Sequence, residues 1–235
     1  MKFTYDAYSQ LLDLGAEKGY AYCTYDNWLN YDKTIILRHD IDISPSAATK
    51  IARIEEEKGI TSTYFFLITS PFYNILSVEN QKVVQNIINS GHRIGLHFDE
   101  KAHDKEKNIE ESIAYEKQLL EKALGITIDV VSMHRPSQET LERDYIFADI
   151  INSYGSAFFK DMHYVSDSRR NWREDILAEI EQESFDRFHV LTHPIWYHAQ
   201  EESLENMLKN FIGQAEEERK NILRENIRDF DEIFK

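Results

Sequence analysis

Residues 34–45, TIILRHDIDISP, decide the fold. Thr34-Ile35-Ile36-Leu37 is apolar and largely β-branched, and Arg38, His39, Asp40 and Asp42 bring charge in as the run ends. An apolar run of this length reads as a buried strand over 34–41. Ser44 as N-cap, Pro45 at the first helical position and Gly59 as the stop then give a helix over 45–58.

The same alternation runs on through the chain. Residues 60–69 (ITSTYFFLIT) read as a second buried strand, followed by a helix over 78–89 with Gly91 beyond it. RIGLHF (93–98) is a third strand, 108–124 a helix closed by Gly125, and DVVSMH (129–134) a fourth strand. Residues 157–159 and 163–165 read as short strands and RFHVLTH (187–193) as a longer one. A C-terminal helix or helix pair over 201–234 carries Leu204, Met207, Leu208, Phe211 and Ile212 on one stripe. Strands alternating with helices signify βαβ units on a parallel sheet, as a barrel or a doubly wound sheet. In either form, function gathers where the loops leave the C-terminal strand ends.

Length and composition bound the rest. A chain of 235 residues with 42% hydrophobic side chains can bury a sizeable core without a disulfide or structural metal. Only 8 Gly and 4 Pro, with no repeat and no low-complexity stretch, favour one domain over residues 1–235. The net charge of −15 argues against duplex nucleic acid, anionic membranes and polyanionic substrates. Cys23 has no disulfide partner in the chain, and the first residues lack the apolar core of a secretory signal, so a cytoplasmic location is expected. No apolar run reaches the roughly 20 residues of a membrane helix, so no membrane insertion is expected.

Chemically capable residues sit at the strand ends. Arg38, Asp40 and Asp42 share one face of the first strand, while His39 takes the other. Two carboxylates so placed raise each other's pKa unless a cation compensates. That cation could be Arg38, with Asp42 capping the following helix, or a divalent metal that also holds a water. His97, His134 and His193 close the third, fourth and last long strands. Aspartate plus imidazoles suits zinc or a similar ion with open positions.

The segments LRHDID (37–42), GHRIGLHFD (91–99), SMHRPS (132–137), YVSDSRRNW (164–172) and LTHPIWY (191–197) resemble, in order, the motifs of the polysaccharide deacetylases with a NodB homology domain, carbohydrate esterase family 4. The similarity is closest to a divergent branch associated with lipopolysaccharide and O-antigen gene clusters. The resemblance implies an α/β fold, a distorted, incomplete (β/α) barrel. It implies Asp40 as general base and Asp42 as metal ligand, or the reverse, with His97 as a second ligand. The family's next histidine would fall at 101, where this chain has Lys; His103 and His134 are the candidates to replace it, and His134 is favoured for its strand-end position. His92 reads as a surface residue at a helix end. Arg135 matches the arginine that holds the base, Asp167 the residue orienting the acid histidine, and His193 that acid. Trp172 matches the wall of the acetyl pocket.

Tyr64, Phe72, Tyr73, Trp196 and Tyr197 are candidates to stack on sugar faces, with core packing as the alternative. The implied cofactor is one divalent ion, zinc, with cobalt, nickel or manganese as alternatives. The implied activity is hydrolysis of an N-acetyl group on an amino-sugar partner in surface-glycan biosynthesis. A catalytically silent glycan- or partner-binding relative, and a hydrolase of a non-sugar C–N amide bond, are the alternatives.

Overall fold

The computed structural model describes residues 1–103 and 108–234. Met1–Ala199 form one compact unit and Gln200–Lys235 a second. In the first, α1 (Tyr5–Glu17) precedes β1 (Ala21–Cys23), β2 (Thr34–Ile41), α2 (Pro45–Glu57), β3 (Thr63–Leu67), α3 (Val78–Asn89) and β4 (Arg93–Phe98). Then come α4 (Ile109–Leu124), β5 (Val130–Met133), α5 (Gln138–Glu142), β6 (Ile151–Asn152), α6 (Ser156–Phe159), β7 (His163–Ser166), α7 (Ile176–Glu181) and β8 (Arg187–Thr192). The second unit is α8 (Leu204–Asn226) and α9 (Phe230–Ile233). Among the described residues no helix is long and apolar enough to cross a membrane.

Every strand pairing is parallel, in the order β6-β5-β4-β3-β2-β8-β7, with β1 beside the first residues of β2. The sheet curls into a half-barrel, the incomplete (β/α) barrel expected from the sequence. All eight residues of β2 are buried, as a central parallel strand covered on both faces requires. Ile35, Leu37 and Ile41 pack with Ile51, Ile54 and Tyr8 of the helical layer, whereas Ile36 joins Phe65, Val130 and Phe158 on the other face. Gly95 is obligatory there, because a Cβ would stand 2.4 Å from the Phe65 ring.

Local chemistry sets most helix limits. Ser77 accepts from Asn80 N–H and Asn108 from Glu110 N–H, while Gly125 ends α4 in the left-handed conformation. The strand expected over 157–159 is instead α6. Asp144 accepts from the backbone and hydroxyl of Ser156, at 2.9 and 2.7 Å, and starts a helical turn there. The burial of Phe158 is met by that turn rather than by pairing with a neighbour.

His92 is not a surface residue. It is buried, with Nε2 2.9 Å from the Ala52 carbonyl and Nδ1 accepting from Ser62 N–H. It borders a polar cluster centred on Glu55, which is wholly buried on α2. Glu55 accepts from Tyr8 and Tyr64 hydroxyls, from Ser62 Oγ at 2.6 Å and from His39 Nε2 at 2.8 Å. Burial works to raise the Glu55 pKa, but His39 and the hydroxyls prevail and bring it down from 4.5 to about 2.

A carboxylate whose folded pKa is depressed stabilises the fold above its unfolded pKa and loses that contribution as pH falls toward the folded value. Glu55→Gln is therefore expected to lower the unfolding free energy at pH 7 by on the order of 3 kcal/mol. It should also flatten the acid-induced loss of stability between pH 4.5 and about 2, as read by urea denaturation across that range.

Candidate functional site

The β2 alternation sends Arg38 and Asp40 to the face away from the helices and His39 toward Glu55. Arg38 and Asp40 form a two-pronged ion pair, with Nε to Oδ1 and Nη2 to Oδ2 both 2.8 Å. Arg38 is fully buried, its guanidinium 4.7 Å from the Tyr154 ring centre and 5.5 Å from that of Phe65. Burial pushes the Asp40 pKa up, but the Arg38 charge outweighs it and holds the carboxyl below its ordinary value.

Asp42 lies one residue past β2 with its side chain 24% exposed. Its Oδ1 is 3.1 Å from His97 Nε2 and 3.4 Å from His134 Nδ1, and those two nitrogens are 3.2 Å apart. His97 Nδ1 lies 2.6 Å from Ser132 Oγ, which fixes the ring with Nε2 facing Asp42. Asp42 Oδ1 is itself buried without a well-aligned hydrogen bond among the described residues. Three donors spaced 3.1–3.4 Å match the edges of a tetrahedral site, which are about 3.3 Å when metal–ligand bonds are roughly 2.0–2.1 Å. The donor set therefore fits a divalent ion. His103 is engaged elsewhere, with Nε2 2.6 Å from Glu116 and its ring stacked on Phe98.

His193 follows β8 on the other flank. Its Nδ1 is 2.6 Å from Asp167 Oδ1, and its backbone N–H donates to both Asp167 oxygens. Tyr197 donates to Asp167 Oδ2 at 3.1 Å, and His193 Nε2 faces Asp42 Oδ2 at 3.7 Å. Burial opposes protonation of His193, but the Asp167 charge prevails and raises its pKa to about 9. Burial raises that of Asp167 as well, against the opposing effect of the His193 charge.

Arg135 departs from the expected role. Its Nη2 pairs with Asp99 at 2.7 Å, its side chain is 61% exposed and its φ is +50°. Arg38, already on the same face of the same strand, occupies the place beside Asp40. Among the aromatic candidates, Tyr64 and Tyr197 are buried and cannot face a sugar. Trp172 and Trp196 are partly buried against the core, and the Trp196 ring centre is 6.1 Å from that of His193. Phe72 is exposed in the loop after β3, and Tyr73 in the same loop donates to the Ile41 carbonyl. Ser132 falls within the SMHRPS segment, which implies no role for it, and no motif announces Tyr154, which meets Arg38.

No protein-family model and no curated protein matches the chain. Among solved structures, a mutant of BA3943 from Bacillus anthracis, described as a CE4 family pseudoenzyme with restored enzymatic activity, matches with 17% identity and a TM-score of 0.46 over 78% of this chain and 64% of that one. This chain thus spans less than two thirds of that protein's length. The peptidoglycan deacetylase PdaC from Bacillus subtilis matches with 15% identity and a TM-score of 0.47 over 83% of this chain and 97% of that one. A family 4 acetyl xylan esterase from Clostridium thermocellum, solved with a cobalt ion, matches with 13% identity and a TM-score of 0.41 over 78% and 84%.

The two arginines should separate cleanly on substitution. Arg38→Met strands the buried Asp40 carboxylate and is expected to cost about 3–5 kcal/mol of stability. Arg135→Ala removes an exposed pair and should cost less than about 1 kcal/mol. Urea denaturation of the two variants beside the parent protein checks both.

Proposed function

We propose that the chain is a divalent-metal-dependent hydrolase that removes the N-acetyl group from an amino sugar, acting in the cytoplasm on a surface-glycan precursor. The observation that carries this reading is the convergence of Asp42, His97 and His134 at tetrahedral spacing, between the Arg38–Asp40 pair and the His193–Asp167 pair. One imidazole pair and one carboxylate would hold zinc, and the same ligands accept cobalt, nickel or manganese.

An ion held by Asp42, His97 and His134 would supply Lewis acidity for the amide carbonyl and would lower the pKa of a water there. Asp40, kept ionised by Arg38, accepts the proton of the attacking water. Arg38 holds that carboxylate in one orientation through both oxygens, so the base cannot turn away. His193, kept protonated by Asp167, donates to the nitrogen of the departing amine through Nε2. Asp167 fixes the His193 ring and accepts from its backbone N–H, which holds donor and strand end together. Trp196, beside His193, and Trp172 flank the place of the acetyl group.

Protein purified with zinc, cobalt, nickel or manganese in the medium is expected to carry about one ion per chain. Asp42→Ala, His97→Ala and His134→Ala should each lose it, together with acetate release from acetylated amino sugars. Asp40→Asn should keep the ion while its turnover falls roughly 10²–10⁴-fold. Elemental analysis and an acetate assay measure these. A metal-free parent protein, with Asp42→Ala indistinguishable from it, overturns the reading.

A further inference from the structure

A cavity of about 250 Å³ adjoins the site. Tyr154, Phe159 and Tyr164 wall it, with ring centres 4.8–6.4 Å apart, so they form one continuous aromatic surface. Tyr154 also meets Arg38, its hydroxyl accepting from Nη2 at 3.4 Å, so the wall ends against the ion pair that fixes Asp40. Ser166 and Ser168 line the cavity on either side of Asp167, the partner of His193. Asp40, Asp42, His97, His134, Asp167 and His193 do not line it; its links to the site are Tyr154, which meets Arg38, and the two serines that flank Asp167 in the chain.

Its lining carries one exposed charge of each sign, Arg173 and Glu174. Arg173 lines the cavity and has no ion-pair or hydrogen-bond partner among the described residues, in a chain of net charge −15. Glu174, the carboxylate in the lining, is engaged by His163 Nε2 at 2.8 Å. The loop that carries Ser168 and Arg173 is strained: Arg169 and Arg170 have φ of +60° and +56°, which costs a non-glycine residue about 1–3 kcal/mol each. Strain of this kind persists where surrounding structure imposes it, typically at binding sites. Aromatic faces take up rings, hydroxyls recognise polar substituents, and a guanidinium without a partner takes an anionic oxygen.

We infer that this cavity holds the sugar ring, or the ring linked to it, and that the ring bears an anionic group, phosphate or carboxylate, taken by Arg173. This rests on the reading of the site as a deacetylase and specifies its substrate as an anionic acetamido sugar. With Glu174 engaged by His163, Arg173 is the charge in the lining left to meet an anion, in a protein whose overall charge is strongly negative.

The test is calorimetric binding, together with acetate release, for N-acetylglucosamine, N-acetylglucosamine 1-phosphate, UDP-N-acetylglucosamine and the carboxylate-bearing N-acetylmuramic acid. The metal-loaded parent protein is compared with Arg173→Ala and Arg173→Lys. At least one anionic sugar is expected to bind about tenfold or more tightly than the neutral one. Arg173→Ala should bring that ratio close to one, and Arg173→Lys should restore part of it. Which anionic probe shows the margin distinguishes phosphate from carboxylate. Equal affinities in the parent protein, no binding of any probe, or a margin that survives Arg173→Ala overturns the inference. A margin that depends on Arg173 without acetate release from any probe upholds the anion site and sinks the deacetylase reading. Acetate release from neutral and anionic sugars alike, without a margin, does the reverse.

Discussion

The Arg38–Asp40 pair is the constraint around which this unit is built. A guanidinium and a carboxylate two residues apart on one strand must face the same side, and on β2 that side is closed. Taking both out of water is costly, and the attraction between them repays it only with two aligned hydrogen bonds and nothing left over. The surroundings meet most of that demand, although Arg38 Nη1 is buried without a hydrogen-bond partner among the described residues. Tyr154 and Phe65 cover the guanidinium, Ser132 Oγ stands 3.5 Å from Asp40 Oδ1, and Gly95 leaves room for the Phe65 ring. The half-barrel interior is thus committed to presenting one oriented carboxylate.

The other face of β2 is fixed by an independent polar system. His39 reaches Glu55 on α2 with Nε2 and Thr192 on β8 with Nδ1, while its ring stacks on Tyr64 of β3. One residue therefore ties three neighbouring elements to the strand end immediately beside Asp40. Held from both faces, β2 delivers Asp42 in a definite direction, and Thr192 carries the same restraint to His193, the residue that follows β8. Positioning of this kind is what acid–base chemistry at a fixed point requires, because a misplacement of about 1 Å can cost 100-fold.

Much of this was legible in the sequence because it rests on local rules. The pattern from Thr34 to Gly59 gives strand, helix start and stop in their observed places, although the Ser44 side chain makes no capping hydrogen bond, and 78–89 and 93–98 are a helix and a strand as expected. The misreadings come from tertiary context. The segment at 157–159 is aromatic enough to pass for a strand, but the Asp144 cap that makes it a turn lies twelve residues away from Ser156. His92 looked exposed because its partners, Ala52 and Ser62, belong to another βα unit. Glu55 did leave a trace: it continues the buried stripe of Ala48, Ile51 and Ala52, where a carboxylate is out of place unless it is bonded. Arg135 was preferred to Arg38 on motif order, although the alternation of β2 already placed Arg38 beside Asp40. Tyr154 and Arg173 had no local signature at all.

Strand register, rather than the loop after β4, brings a second imidazole beside His97. After β4, Asp99 accepts from Lys101 N–H and starts a 3₁₀ turn over Glu100–Ala102. The β4–β5 register pairs His97 with Ser132 and Phe98 with Met133, and His134 N–H extends the ladder by donating to the Phe98 carbonyl at 2.7 Å. Ser132 and His134, two residues apart, fall on the His97 side of the sheet; the first holds Nδ1 of that ring and the second stands against its Nε2. A ladder hydrogen bond thus sets the His134 imidazole, so its position follows from strand register rather than from a turn. A position fixed by register tolerates change in the loop beyond, which leaves Lys101 and His103 free to serve other contacts.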